Sequence, residues 1–215
     1  MKLILLLITG CLAFTTAFGQ RLHISYTYCH CLETEASADS VKLKRCFDKV
    51  LATELRKQKN ERQKLELAAM VDIDLQKTCA EYARLHHKLN PPKGDWEIIK
   101  TNPKSNLAKN ACKQLATHQN LFYLEDNGDT TRVNLANGIW KETVGKKKHL
   151  SLLDFKPRKN GEFVLVFQGS TNPGINRSSS PGDQYKYRLV AKTPTYYIAT
   201  TSHGSVVYQF KLYYN

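Results

Sequence analysis

The chain has 215 residues, of which 32 are lysine or arginine and 19 are aspartate or glutamate, so its formal net charge is +13 at pH 7. This length is enough for a domain with its own hydrophobic core. The positive charge favours anionic partners such as glycosaminoglycans, phospholipid headgroups or acidic proteins. A basic face that only keeps the protein in solution explains the charge equally well.

Residues 1–19 have the pattern of a secretory signal peptide. Lys2 precedes an apolar run over residues 3–14, and small residues follow at Ala17 and Gly19. The run is too short to span a bilayer, and no later stretch approaches the roughly 18–20 apolar residues that a transmembrane helix needs. We therefore expect a secreted, extracellular protein with no transmembrane segment, and we do not expect nucleic acid as a partner.

Five cysteines would remain after removal of the signal: Cys29, Cys31, Cys46, Cys79 and Cys112. Because secreted proteins fold in an oxidising compartment, an odd number predicts two disulfides and one thiol that is free or links two chains in a dimer. The single residue between the first two does not fit the usual spacing of zinc ligands, so no metal is expected there. Cys11 also fits an unusually early lipoprotein box, which leaves lipidation as an alternative.

The first half of the mature chain is predicted to be helical after an irregular, cysteine-bearing arm at residues 20–44. Apolar residues recur at spacings of three and four from Val41 to Lys64 and again from Asp72 to Lys88, which predicts two amphipathic helices. Two prolines at positions 91 and 92 should end the second helix. Residues 90–120 are loop-rich and contain one short helix around Cys112.

The second half changes character. The turn at residues 127–130 and the apolar residues between Thr131 and Val144 predict a third helix, which a basic run would close. Beyond it, β-branched and aromatic residues predict four strands: Phe163–Gln168, Tyr185–Lys192, Thr195–Thr201 and Val206–Tyr213. Asn176 begins a glycosylation sequon in the loop between the first two strands. Helices followed by strands predict an α+β domain over residues 45–215.

Four short motifs occur in order at residues 59–63, 71–83, 119–142 and 161–175. The first two resemble His-Asn-x-x-Arg and Trp-Asp-x-x-Leu-Ala. The third resembles Gly-Glu-Asn-Leu followed by Trp-Tyr-x-Glu, and the fourth resembles Gly-His-Phe-Thr-Gln-Val-Val-Trp-x-Gly-Ser-Thr. Together they resemble the CAP superfamily, the SCP-like extracellular domain of cysteine-rich secretory, antigen 5 and pathogenesis-related proteins. Over roughly residues 45–212, this resemblance implies an α-β-α sandwich with a small antiparallel sheet between helical layers.

The same resemblance implies a degenerate cleft. Family members with an intact cleft carry two histidines and two glutamates that can hold a divalent metal. Here Gln119 takes one glutamate position, Glu142 retains the other, and Glu162 stands where one histidine would be. No histidine occurs between residues 94 and 110, where the other should fall, and a second register through residues 106–108 retains no more. We therefore expect no catalytic residues, no metal and no cofactor.

The leading functional prediction is a non-catalytic binding or effector protein in host interaction, defence or venom-type roles, with lipid or sterol as a candidate ligand. Trp96, Phe122 and Tyr123 are among the residues that could line an apolar groove, although core packing explains each of them as well.

The alternative is a basic protein that binds glycosaminoglycans or anionic membranes through a patch of six side chains: Lys146, Lys147, Lys148, Lys156, Arg158 and Lys159. The expected partner is thus an extracellular protein, a lipid or an anionic polysaccharide. A hydrolase that uses Glu142 and Glu162 as acid and base is less favoured, because the sequence does not show that these carboxylates meet.

Overall fold

The computed structural model describes residues 22–91, 93–145, 148–203 and 206–214. Two units make up the chain, with the boundary between Leu89 and Asn90. The predicted signal peptide and the side chains of Lys146 and Lys147 lie outside the described residues.

The N-terminal unit is helical. Its elements are α1 (residues 22–34), α2 (Asp39–Cys46), a π-helical turn (Phe47–Leu51), α3 (Ala52–Arg56), α4 (Glu61–Thr78) and α5 (Ala80–Leu89). The prediction of an irregular arm is wrong over α1, because Ile24, Tyr28 and Leu32 recur every four residues and bury one face of a helix. Among the described residues, no helix is long and apolar enough to cross a membrane.

The two helices predicted between residues 41 and 88 are divided differently in the structure. Asn60 caps a new helix, because its side-chain oxygen accepts a hydrogen bond from the backbone N–H of Gln63 at 2.9 Å. The backbone of Cys79 then leaves the helical region, with φ −113° and ψ 104°, and separates α4 from α5. The apolar periodicity therefore predicted helix correctly, but it did not reveal the two breaks.

Two disulfides hold α1 in the helical unit. Cys29 pairs with Cys79 at the junction of α4 and α5, and Cys31 pairs with Cys46 at the end of α2. Among the described residues, Cys112 is the free cysteine, and it is buried. The cysteine count thus predicted two bridges and one free thiol, which the described residues contain.

The described residues of the C-terminal unit form nine antiparallel strands: β1 (Glu97–Ile99), β2 (Asn120–Leu124), β3 (Thr130–Ala136), β4 (Ile139–Val144), β5 (His149–Pro157), β6 (Glu162–Ser170), β7 (Gln184–Lys192), β8 (Tyr196–His203) and β9 (Val206–Tyr214). From β2 to β9 each strand pairs with the next, and β9 pairs back with β2. Strand β1 pairs with β9 beside this seam. The predicted α-β-α sandwich is therefore wrong, since the fold is a helical region plus a closed eight-stranded antiparallel barrel.

The segment predicted as a third helix is instead the β3–β4 hairpin. Along β3, Thr131, Val133 and Leu135 are buried while the residues between them are exposed, which is the period of a strand. The turn is Asn137-Gly138, with φ of 52° and 75°. Two successive positive φ values define the turn that joins tightly paired strands, and Asn-Gly is the sequence that favours it.

A short helix closes one end of the barrel. Helix α6 (Ala111–Leu115) buries three of its residues in the same core as the strands. The Cys112 thiol donates a hydrogen bond to the backbone carbonyl of Glu162 at 3.0 Å. We call this the helix-capped end. Helix α7 (Pro173–Ser178), between β6 and β7, belongs to the opposite end.

The disulfides should contribute unequally to the helical unit, because they close loops of 50 and 15 residues. By loop-closure entropy, replacing Cys29 and Cys79 with alanine should lower the free energy of unfolding by about 4 kcal/mol, and replacing Cys31 and Cys46 by about 3 kcal/mol. Urea unfolding followed by circular dichroism at 222 nm measures both. A larger loss for the second pair would contradict this ranking.

Candidate functional site

Glu142 is an acidic residue at an inward-facing position of the barrel. On β4 it pairs laterally with Val133 of β3 and Ser151 of β5, both of which are buried. Because side chains alternate along a strand, Trp140 faces inward as well, while Lys141 faces outward and is exposed. The strand register alone therefore puts a carboxylate in the barrel interior.

Two hydrogen-bond donors hold the Glu142 carboxylate in place. The indole Nε1 of Trp140 donates to Oε1 at 2.8 Å, and the hydroxyl of Tyr123 donates to the same oxygen at 3.1 Å. These donors come from the same strand and from β2. The position of the carboxylate is thus fixed by two rigid aromatic side chains.

An aromatic cage surrounds this carboxylate. The residues that line the interior cavity with Glu142 are Trp96, Tyr123, Trp140, Phe163, Leu165, Tyr187 and Phe210. The Trp96 ring stacks on Phe210 with centroids 4.3 Å apart, and Phe163 stacks on Tyr187 at 5.1 Å. The remaining cavity is about 20 Å³, enough for about one water molecule.

One fully buried polar atom of the cage has no hydrogen-bond partner among the described residues. This atom is the indole Nε1 of Trp96, which is buried. An unpaired buried N–H costs free energy, and a water molecule in the cavity could accept a hydrogen bond from it.

Burial dominates the electrostatics of the interior. It raises the pKa of Glu142 above the usual value, and the hydrogen bonds from Trp140 and Tyr123 offset only part of this effect. Burial also raises the pKa of Tyr187, which lies near the same carboxylate. Burial therefore disfavours the ionised form of the Glu142 carboxyl group, and a cation in the cage would favour it.

A second acidic residue, Glu125, follows β2 and extends the acidic interior. Thr131 donates a hydrogen bond to its carboxylate. Burial raises the pKa of Glu125 to about 7, and repulsion from Glu142 and Asp126 adds to that rise. Among the described inward positions of the barrel strands, the basic residue is Lys192, which pairs laterally with buried Tyr197 and places its ammonium over the rings of Tyr197 and Tyr214. The part of the interior around Glu142 and Glu125 is acidic.

The structure does not bring the three predicted cleft residues together. Gln119 precedes β2 at the helix-capped end, where its backbone carbonyl accepts a hydrogen bond from Leu135. Glu142 lies inside the barrel, whereas Glu162 lies on the outer face and forms an ion pair with Arg188 at 2.5 Å. Neither a cleft built from these residues nor an acid–base pair of the two glutamates is formed.

The predicted basic patch is also divided. Lys148 precedes β5, while Lys156, Arg158 and Lys159 lie at its other end, roughly 25 Å away at the rise of an extended strand. Asn176 is exposed on α7, so its sequon is on the surface. Cys112 is buried against the barrel core, and an intermolecular disulfide would require α6 to move.

Two residues of the cage were predicted from the sequence as part of an apolar ligand groove. Trp96 and Tyr123, considered as groove residues, do line the interior, whereas Phe122 faces outward and stacks on Tyr213. The contributions of Glu125 and Tyr187 were missed. The alternation of Leu121, Tyr123 and Glu125 was the available signal, since it places a carboxylate on the same face as two large apolar groups.

Comparison of the chain with protein families, with curated proteins and with solved structures finds no match. The CAP-like roles of Gln119, Glu142 and Glu162 therefore rest on four short motifs alone, and the fold that those motifs implied is not the fold observed.

Replacing Glu125 with glutamine should raise the free energy of unfolding of the barrel at pH 8 by about 1–3 kcal/mol, because folding then buries no charge at this position. The folded-state pKa of about 7 exceeds that of an unfolded glutamate. The wild type should therefore gain stability as pH falls from 8 towards 5, and the variant should gain less. Both tryptophans, Trp96 and Trp140, belong to the barrel, so their fluorescence in urea follows barrel unfolding.

The matched control is Glu162→Gln, which removes a carboxylate from the outer face of the same barrel. Its stability should not rise at pH 8. Identical pH profiles for wild type and Glu125→Gln would show that this carboxyl group is not desolvated on folding.

Proposed function

We propose that this chain is a secreted, non-catalytic binding protein whose barrel interior takes up a small organic cation, an ammonium group carried on an aromatic or apolar body. One observation carries the proposal. The Glu142 carboxylate lies inside an aromatic cage and has no cationic partner among the described residues.

A cation would compensate for the cost of this arrangement. A carboxylate removed from water is unfavourable unless it is paired, and an ammonium group can pair with it and donate hydrogen bonds. The faces of tryptophan and tyrosine rings attract cations, and this attraction strengthens where water is excluded. The cage provides such rings in Trp96, Tyr123 and Tyr187 next to the carboxylate. Glu125 adds a second negative group further along the interior.

Because the cavity has room for only about one water molecule, a ligand must be small and must displace side chains in order to bind. Trp140, Phe163 and Phe210 are buried, whereas Tyr123 and Tyr187 retain some accessible surface. Because its hydrogen bond to Glu142 holds Tyr123 in place, we assign Tyr187 to the part of the wall that moves on binding. A sterol or a long fatty acid is disfavoured because aromatic rings fill the interior. The carboxylates of Glu125 and Glu142 would also repel the headgroup of a fatty acid.

The proposal also states that the protein is secreted and that it is not an enzyme. Two disulfides are consistent with an oxidising compartment. Glu142 and Glu162 lie on opposite faces of the barrel wall, so they are not arranged to act together as acid and base. Uptake of the ligand without chemical change is the activity that best fits these residues.

Phenethylamine should bind to the protein with one-to-one stoichiometry in isothermal titration calorimetry, while 3-phenylpropionate, of similar size and opposite charge, should not bind measurably. The Glu142→Gln variant keeps the shape of the cage and loses its charge, so its affinity for the amine should be at least tenfold weaker, about 1.4 kcal/mol. The control Glu162→Gln should bind like the wild type. Equal affinity for both probes, or unchanged affinity in Glu142→Gln, would contradict the proposal.

Binding of the amine should also depend on pH. The cation pairs with an ionised carboxyl group, and the folded-state pKa values of Glu125 and Glu142 are raised. Affinity should therefore fall as pH is lowered from 8 to 6, and binding at pH 7 should release protons. Calorimetry in two buffers with different ionisation enthalpies measures that release. Equal binding heats in the two buffers would contradict coupled ionisation of the interior carboxyl groups.

A further inference from the structure

A groove of about 470 Å³ crosses the outer faces of β6, β7 and β8, on the side of the barrel wall away from the aromatic cage. Its floor includes Val164, which pairs laterally with Lys156 of β5 and Lys186 of β7. One row closer to the helix-capped end, Glu162 pairs with Arg188. Because laterally paired residues share a face, these basic side chains stand on both sides of the groove floor.

The segment before α6 builds one side of the groove. The hydroxyl of Thr200, which is fully buried on β8, donates a hydrogen bond to the side-chain oxygen of Asn102 at 3.0 Å. This contact holds residues near 102 against the outer face of the sheet. The groove is therefore a fixed feature of the barrel wall with a polar lining that also includes Gln184 and Ser202.

The groove has an excess of positive charge. Arg158 and Lys186 are exposed there and have no acidic partner among the described residues. On the strand positions of this face, the carboxylates are Glu162, which is paired with Arg188, and Asp154, which accepts a hydrogen bond from Gln168. Both carboxylates already have donors, so the free cations remain available to an anionic partner.

We propose that this groove binds a segment of sulfated polysaccharide. Sulfate groups suit the guanidinium of Arg158, which can donate two parallel hydrogen bonds, and the ammonium of Lys186. Sugar hydroxyls suit the amide and hydroxyl groups of Asn102, Gln184 and Ser202. The lining presents no large exposed apolar side chain to anchor the groove in a bilayer, which favours a polysaccharide over a membrane surface.

This groove and the interior cavity share Phe163 and Tyr187 in their linings, but their charged groups lie on opposite faces of the wall and have opposite sign. A polyanion is repelled by the interior carboxylates, and a small amine gains nothing from the basic groove. Each site can therefore fail its own test without affecting the other.

The test is binding of a heparin octasaccharide to the whole chain, measured by calorimetry at several salt concentrations. Arg158→Gln combined with Lys186→Gln should bind at least tenfold more weakly at 0.1 M salt. Its slope of log affinity against log salt should be shallower by about two, since two counterion-releasing contacts are lost.

The matched control is Arg132→Gln combined with Lys141→Gln, which removes the same charge from the outer faces of β3 and β4. It should retain affinity within twofold of the wild type. If both double variants weaken binding equally, net charge alone attracts the octasaccharide and the proposal is wrong. Binding of vesicles with 30% phosphatidylserine that the octasaccharide does not displace would also overturn it.

Tryptophan fluorescence in urea verifies that each variant is folded. Should the groove double variant be unstable, Lys186→Gln alone, at an exposed position, should weaken binding at least threefold. Unchanged affinity in that variant would contradict the proposal.

Discussion

The hydrogen bonds that Trp140 and Tyr123 donate to the Glu142 carboxylate are the interaction on which the interior of this barrel depends. A charged group in a closed barrel is unfavourable, and hydrogen bonds from Trp140 and Tyr123 offset only part of the cost, so burial still raises the pKa of the carboxyl group. The rings that supply these donors also fill the interior and stabilise it by packing. The same residues therefore stabilise the barrel by packing and hold a buried carboxylate that has no cationic partner among the described residues.

The distribution of charge follows from strand alternation. The chain carries a net charge of +13, and apart from Lys192 the described lysines and arginines of the barrel strands occupy outward positions, while Glu125 and Glu142 face inward. A closed wall separates these two environments. Net charge alone suggests only anionic partners, whereas the interior has the opposite preference. The two proposed sites lie on the two faces of the same sheet, the cation site on its inner face and the polysaccharide groove on its outer face.

The sequence predicted local features better than the global fold. The cysteine count predicted two disulfides, and apolar periodicity predicted helix between residues 41 and 88. The segment from Thr131 to Val144 was misread because its apolar residues also fit helical spacing, although Asn137-Gly138 was a strong signal for a hairpin. Closure of β9 on β2 joins residues about 90 positions apart, and no local pattern specifies it. Glu142 was singled out through a resemblance whose implied fold is wrong, and its importance became clear only from the register that places it inside.

The pKa of the Glu142 carboxyl group shows whether this buried carboxylate recognises a cation. It can be measured by carbon-13 NMR on glutamate-labelled protein with and without saturating phenethylamine, using Glu142→Gln to assign the signal. In the free protein this pKa should lie above the usual value for glutamate, because burial opposes ionisation. The amine should lower it, because a cation in the cage favours the ionised form. An ordinary pKa in the free protein, or one that the amine leaves unchanged, would contradict a buried carboxylate that recognises a cation.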